Sequence, residues 1–149
     1  MANRERLDQT EAVDPRLIRA VELFNAREFF ACHDVLEEIW GERLGEDRAF
    51  YQGLIHAAVA LFHFQEGNLG GARKMQASAM RYLAPYAPTC AGLDVAGLLA
   101  EFSTCFADLA ALRDPAATHV QLRPALIPRL RFVALEGTSD PRDYPPAGS

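Results

Sequence analysis

This sequence predicts an all-α fold. The expected form is a compact bundle of about five helices built from helical hairpins, with a proline-rich strap at the C-terminal end. Three observations carry the prediction. Apolar residues recur at three- and four-residue steps in five successive segments between residues 15 and 112. Glycine, asparagine and proline punctuate those segments at short intervals. Six of the nine prolines lie beyond residue 113, where long regular helix is therefore not expected.

Asp14-Pro15 opens the first helix, with Asp14 as N-cap and Pro15 at the first helical position. Leu17, Ile18, Val21 and Phe24 give it an apolar face over 15–25. The second helix is expected over 28–43. With about 100° of rotation per residue, Phe29, Cys32, Leu36, Ile39 and Trp40 share one arc, and Asp34, Glu38 and Glu42 point away from it. His33 falls inside the apolar arc, and Glu37 at its edge one turn later.

A third helix, over 47–66, is apolar around almost its whole circumference through Phe50, Leu54, Ile55, Val59, Leu61, Phe62 and Phe64. Such a helix sits at the centre of a bundle and should be the most buried of the set. Its one polar strip starts at Arg48 and continues through Gln52, His56 and His63. Gly67-Asn68 ends it, and a fourth helix runs to Pro85 with Ala72, Met75, Ala79, Tyr82 and Leu83 inward. The fifth, over 94–112, is capped by Asp94 and striped by Val95, Leu98, Phe102, Cys105, Phe106 and Leu109.

Val120, Leu122, Leu126, Ile127, Leu130 and Phe132 are too apolar for a free tail, so residues up to about 135 are expected to strap the bundle. The domain reading is a flexible N-terminus over 1–13, one helical domain with its strap over 14–135, and a flexible tail over 136–149. A weak internal repeat supports the hairpins. Leu23 to Phe29 aligns with His63 to Leu69 at an offset of 40, with small Cys32 and Ala72 at matching positions.

Composition bounds the function. The chain has 149 residues, half of them hydrophobic, which suits one core and one domain. A net charge of −5 argues against nucleic-acid binding as the main task. No stretch reaches the roughly 20 apolar residues of a membrane span. Met1 to Arg6 is polar, with no apolar segment after it to make a secretory signal. Three widely spaced cysteines, Cys32, Cys90 and Cys105, make neither a disulfide framework nor a CxxC site, so a cytoplasmic setting is expected. Lys74 is the one lysine beside fourteen arginines, which suits a GC-rich prokaryotic genome.

Two strings are distinctive. One is Phe24-Asn25, then Glu28-Phe29-Phe30, then His33-Asp34-Val35-Leu36-Glu37-Glu38-Ile39-Trp40. The other is Tyr51-Gln52-Gly53-Leu54-Ile55, then Ala58, Leu61 and His63, ending in Gly67-Asn68 and Gly71-Ala72. Together, over about residues 20–86, they resemble a family of small prokaryotic helical proteins known as domain of unknown function 309. Asp34 stands where that family commonly has Glu, and His56 where it more often has Gln. The resemblance implies an all-α bundle and a prokaryotic source, and it brings no activity.

The candidate site is the polar seam His33, Glu37, Trp40, Gln52, His56 and His63. His33 and Glu37 at i, i+4 share a helical face. If that face meets the strip of the third helix, the polar groups converge inside the bundle. The leading expectation is a non-enzymatic binding or scaffold module in which this seam is a buried, hydrogen-bonded network, with no cofactor. The alternative is a small metal-dependent or acid/base enzyme using His33 and Glu37. A divalent metal would draw on His33, Glu37, His56 and His63, although neither HExxH nor paired ExxH is present. Homo-oligomerisation is expected as a form of partnership. A small-molecule or protein ligand has no identity at this level.

Overall fold

The computed structural model describes residues 13–114 and 120–133. Its helices are α1 (Pro15–Asn25), α2 (Phe29–Glu42), α3 (Arg48–Gln65), α4 (Leu69–Leu83), α5 (Val95–Cys105) and the single turn α6 (Ala107–Ala110). The all-α expectation holds, and the first four helices match the predicted spans within a residue or two. Asp14 caps α1 by accepting from the N–H of Arg16, and Asp94 caps α5 by accepting from that of Gly97.

The repeat seen in the sequence is a repeated turn. Arg27 and Gly67 both take positive φ, 67° and 82°. The N–H of Arg27 donates to Phe24 O and that of Glu28 to Leu23 O; Gly67 and Asn68 do the same to Phe64 and His63. This paired closure is a Schellman motif, which turns the chain sharply after a helix. It folds α1 against α2 and α3 against α4. Cys32 and Ala72, at the matching close approaches, are fully buried.

Helix α3 packs between α2 and α4. Ten of its residues are buried, more than in any other described helix, as its apolar circumference requires. Gly53 permits the close approach to α4: a Cβ there would lie 2.7 Å from Leu83 Cγ.

Two features differ from expectation. The predicted fifth helix breaks at Phe106 (φ −99°, ψ 6°), so that Cys105 ends α5 and α6 starts afresh. A small antiparallel hairpin, β1 (Thr89–Cys90) with β2 (Leu93–Asp94), lies between α4 and α5. Its two turn residues, Ala91 and Gly92, both take positive φ, the geometry that a tight hairpin needs. Alternating apolar residues, the usual strand signal, do not extend over two-residue strands, so periodicity could not reveal them.

The strap lies on the bundle as expected over 120–133. It is extended, apart from one 3-10 turn at Pro124–Leu126. Residues 1–12 of the expected flexible N-terminus, and 136–149 of the expected tail, lie outside the described residues. Among the described residues no helix is long and apolar enough to cross a membrane.

Candidate functional site

The accessible face of α3 forms the floor of a groove whose rims are α2 and α4. Arg48, Gln52, His56, Val59 and His63 lie half-buried along that floor. Helical rotation sets Phe30, His33, Glu37 and Trp40 along the α2 rim, and Ser78 and Tyr82 lie on the α4 rim.

The predicted seam is divided between these rims. His56 turns to α4: its Nδ1 lies 2.7 Å from Ser78 Oγ, and its ring meets Tyr82 edge-on at 5.2 Å. Burial, and after it the charge of Arg81, hold the His56 pKa below its ordinary value. His63 sits at the end of α3, its Nδ1 3.3 Å from Asn68 Nδ2 in the turn. Gln52 makes no side-chain hydrogen bond among the described residues. Trp40 packs under Arg48, whose guanidinium carbon is 3.8 Å from the indole centroid.

His33 turns to α3 and lies near His63, but not near the His56–Ser78 contact. Phe29, Phe30, His33, Val59, Phe62 and His63 enclose a recess of about 160 Å³. The Phe30 ring, 56% exposed, forms its outer lip and packs at a tilt, with centroids 5.4 Å away, against both Phe62 and His33. His33 Nε2 is 3.1 Å from Glu37 Oε2, and its Nδ1 is 3.2 Å from Asp34 Oδ1.

The expected burial of Glu37 is corrected here. Its side chain is 53% exposed, against 19% for His33. It projects about 100° from Leu36, past the line where α3 covers α2. Water solvates it there, so no buried counterpart is needed. Nor do His56 and His63 join His33 and Glu37 in one donor set. The four-residue metal grouping gives way to His33, Asp34 and Glu37, with ligand atoms within 4.8 Å of one another. The sequence places Asp34 on the solvated side of the helix, and its adjacency to His33 is the signal that brings it into this set.

Two buried polar atoms have no hydrogen-bond partner among the described residues: Nδ1 of His33 and Nε1 of Trp40. The Asp34 contact of His33 has ion-pair distance without hydrogen-bond direction. Seven residues apart, the two side chains project within about 20° of each other on the same rim. Cys32, beside His33, faces the core, and burial pushes its thiol up to about 12, so it is no nucleophile.

Fold and site define a small all-helical protein of paired hairpins with a polar-edged surface groove. Residues 17–75, from α1 to the middle of α4, match the family described as Domain of unknown function (DUF309). The chain is 39% identical over 64 residues to "Uncharacterized protein YpuF" of Bacillus subtilis (strain 168), covering 42% of this chain and 37% of that protein. It is 46% identical over 46 residues to an "Uncharacterized protein" of Aquifex aeolicus (strain VF5), covering 30% of this chain and 14% of that one. The chain thus spans much less than two thirds of either relative. No solved structure matches it.

Proposed function

We propose that this protein is a non-enzymatic binding module that takes an apolar group of its ligand into the recess between α2 and α3. The observation that carries this reading is the recess itself, walled by Phe29, Phe30, Val59 and Phe62 with the rings of His33 and His63 beside them, and opened to water at the half-exposed Phe30 ring. An apolar group seated between Phe30 and Phe62 would leave water for an apolar lining, which favours binding. A cavity of about 150 Å³ takes a ring the size of benzene, so the recess suits one aromatic or branched aliphatic group. Three free cysteines and two bacterial relatives support a cytoplasmic, prokaryotic setting.

The test is a titration with N-acetyl-phenylalaninamide at millimolar concentration, followed by amide shifts of the full chain. The expected result is saturable movement at Phe30, His33 and Phe62, lost when Val59→Phe fills the recess. No saturable movement there would overturn the proposal. Light scattering in the same samples shows whether a second copy of the chain occupies this face instead.

A second reading is a small metal-dependent or acid/base enzyme. It rests on the three donors of His33, Asp34 and Glu37, a set whose nitrogen and carboxylate oxygens suit zinc or ferrous iron. Stoichiometric zinc uptake by calorimetry, lost in His33→Ala, would favour it over the binding module.

A further inference from the structure

Residues 128–133 lie on the bundle as a bound peptide lies on a receptor. Their main chain is paired on two sides. The Asn25 carboxamide takes both backbone groups of Leu130: Nδ2 donates to its carbonyl at 2.9 Å, and its N–H donates to Oδ1 at 2.8 Å. Across the strand, the N–H of Asp94 donates to Arg131 O at 2.9 Å, and that of Val133 to Gly92 O at 2.8 Å. Phe132 bridges Leu93 antiparallel. The segment therefore extends the edge of β2, the mode by which receptors bind extended peptides through their backbone.

Side chains add selectivity. Leu130 is 3% exposed and enters the core. One oxygen of Glu101 accepts from Arg131 Nη1 at 2.7 Å, and the other from the N–H of Arg129 at 3.0 Å. Arg123 pairs with Asp108. Residues 120–133 hold three arginines and no acidic residue, on a chain of net charge −5. Towards its start the strap fits loosely. A cavity of about 580 Å³ opens between Val120–Leu122 and the α3–α4 turn, and one of about 390 Å³ between Ala125–Ile127 and α5.

We propose that the groove formed by Asn25, the β2 edge and Glu101 is a docking site for an extended basic segment of a partner protein, of Arg-Leu-Arg-aromatic type, and that the chain's own strap occupies it in cis. The groove recognises a main chain, a leucine and flanking positive charge, none of which is peculiar to this strap. It shares no residue with the recess at His33, so it stands or falls independently of that site.

The test uses the full chain and a fluorescein-labelled peptide with the sequence of residues 127–133, followed by anisotropy. Leu130→Asp releases the strap. That variant should bind the peptide at least about tenfold more tightly than the wild type, whose strap competes at high effective concentration. Adding Glu101→Arg should weaken binding by about tenfold, and a peptide with both arginines changed to glutamate should recover it. Circular dichroism reports folding. If Leu130→Asp does not fold, Arg131→Glu, at a half-exposed position, releases the strap in its place. A folded released variant that binds no better than wild type overturns the proposal. So does indifference to Glu101→Arg. Unfolding of both strap variants also overturns it, because the strap would then be a fixed part of the core.

Discussion

Nδ1 of His56 stands 2.7 Å from Oγ of Ser78, and this contact ties the centre of α3 to α4. Ser78 is the one buried polar residue among those described. Ser78→Ala should lower stability by about 1 kcal/mol in urea unfolding, the usual worth of such a bond. The imidazole also makes stability depend on pH. Its folded pKa lies below the ordinary 6.5, so the unfolded chain takes up the proton first. The contribution is complete above pH 6.5, falls as pH drops below it, and levels off beneath the folded value. Thermal unfolding of wild type and His56→Gln, compared at about pH 7.5 and about pH 5.5, should show a smaller acid-side loss in the variant. An equal loss in both would refute the assignment.

Gly53 is a second point of α3–α4 closure. Alanine is the better helix former by about 1 kcal/mol, so Gly53→Ala on an open helix would stabilise. Here the new methyl would meet Leu83 Cδ2 and Cγ at 2.7 Å and Tyr82 Cβ at 3.1 Å. The expected net result is destabilisation by about 1–3 kcal/mol. A gain in melting temperature would show that the two helices can part without cost.

Asn25 holds the strap through both backbone groups of one residue. Asn25→Ala should cost about 1–3 kcal/mol, because the Leu130 amide and carbonyl are left without partners. Asn25→Asp separates the two bonds. An aspartate still accepts from the Leu130 N–H but has nothing to donate to its carbonyl. Hydrogen exchange at Leu130 should therefore stay slower in Asn25→Asp than in Asn25→Ala. Equal, fast exchange in both would mean that the β2 edge alone carries the strap.

Much of this molecule was legible along the chain. Asp14 and Asp94 announced two helix starts, and the all-round apolar pattern of Phe50 to Phe64 announced the central helix. The match of Leu23–Phe29 with His63–Leu69 announced a repeated turn, though not its backbone form: nothing in the sequence marks Arg27 for positive φ. The α5 break at Phe106 was hidden because apolar spacing continues through Phe106 and Leu109 on both sides of it. The candidate site was legible only in part. Helical angles place Gln52, His56 and His63 on one strip of α3, but they do not show that His56 pairs with Ser78 or that Glu37 is exposed.

Local order was determined by the sequence, because caps, turn residues and a 3.6-residue apolar period act within a few residues of themselves. Those same angles place Gln52, His56 and His63 on one strip. An angle about a helix axis does not say which neighbour stands there. Only the tertiary structure gave His56 to Ser78 on α4, His33 to the recess with Phe62 and His63, and Glu37 to water. It also brought Asn25 to Leu130, 105 residues away. That pairing depends on where the strap crosses the bundle, and the crossing is settled by burial of Leu130 and by the free edge of β2, neither of which has a period to read.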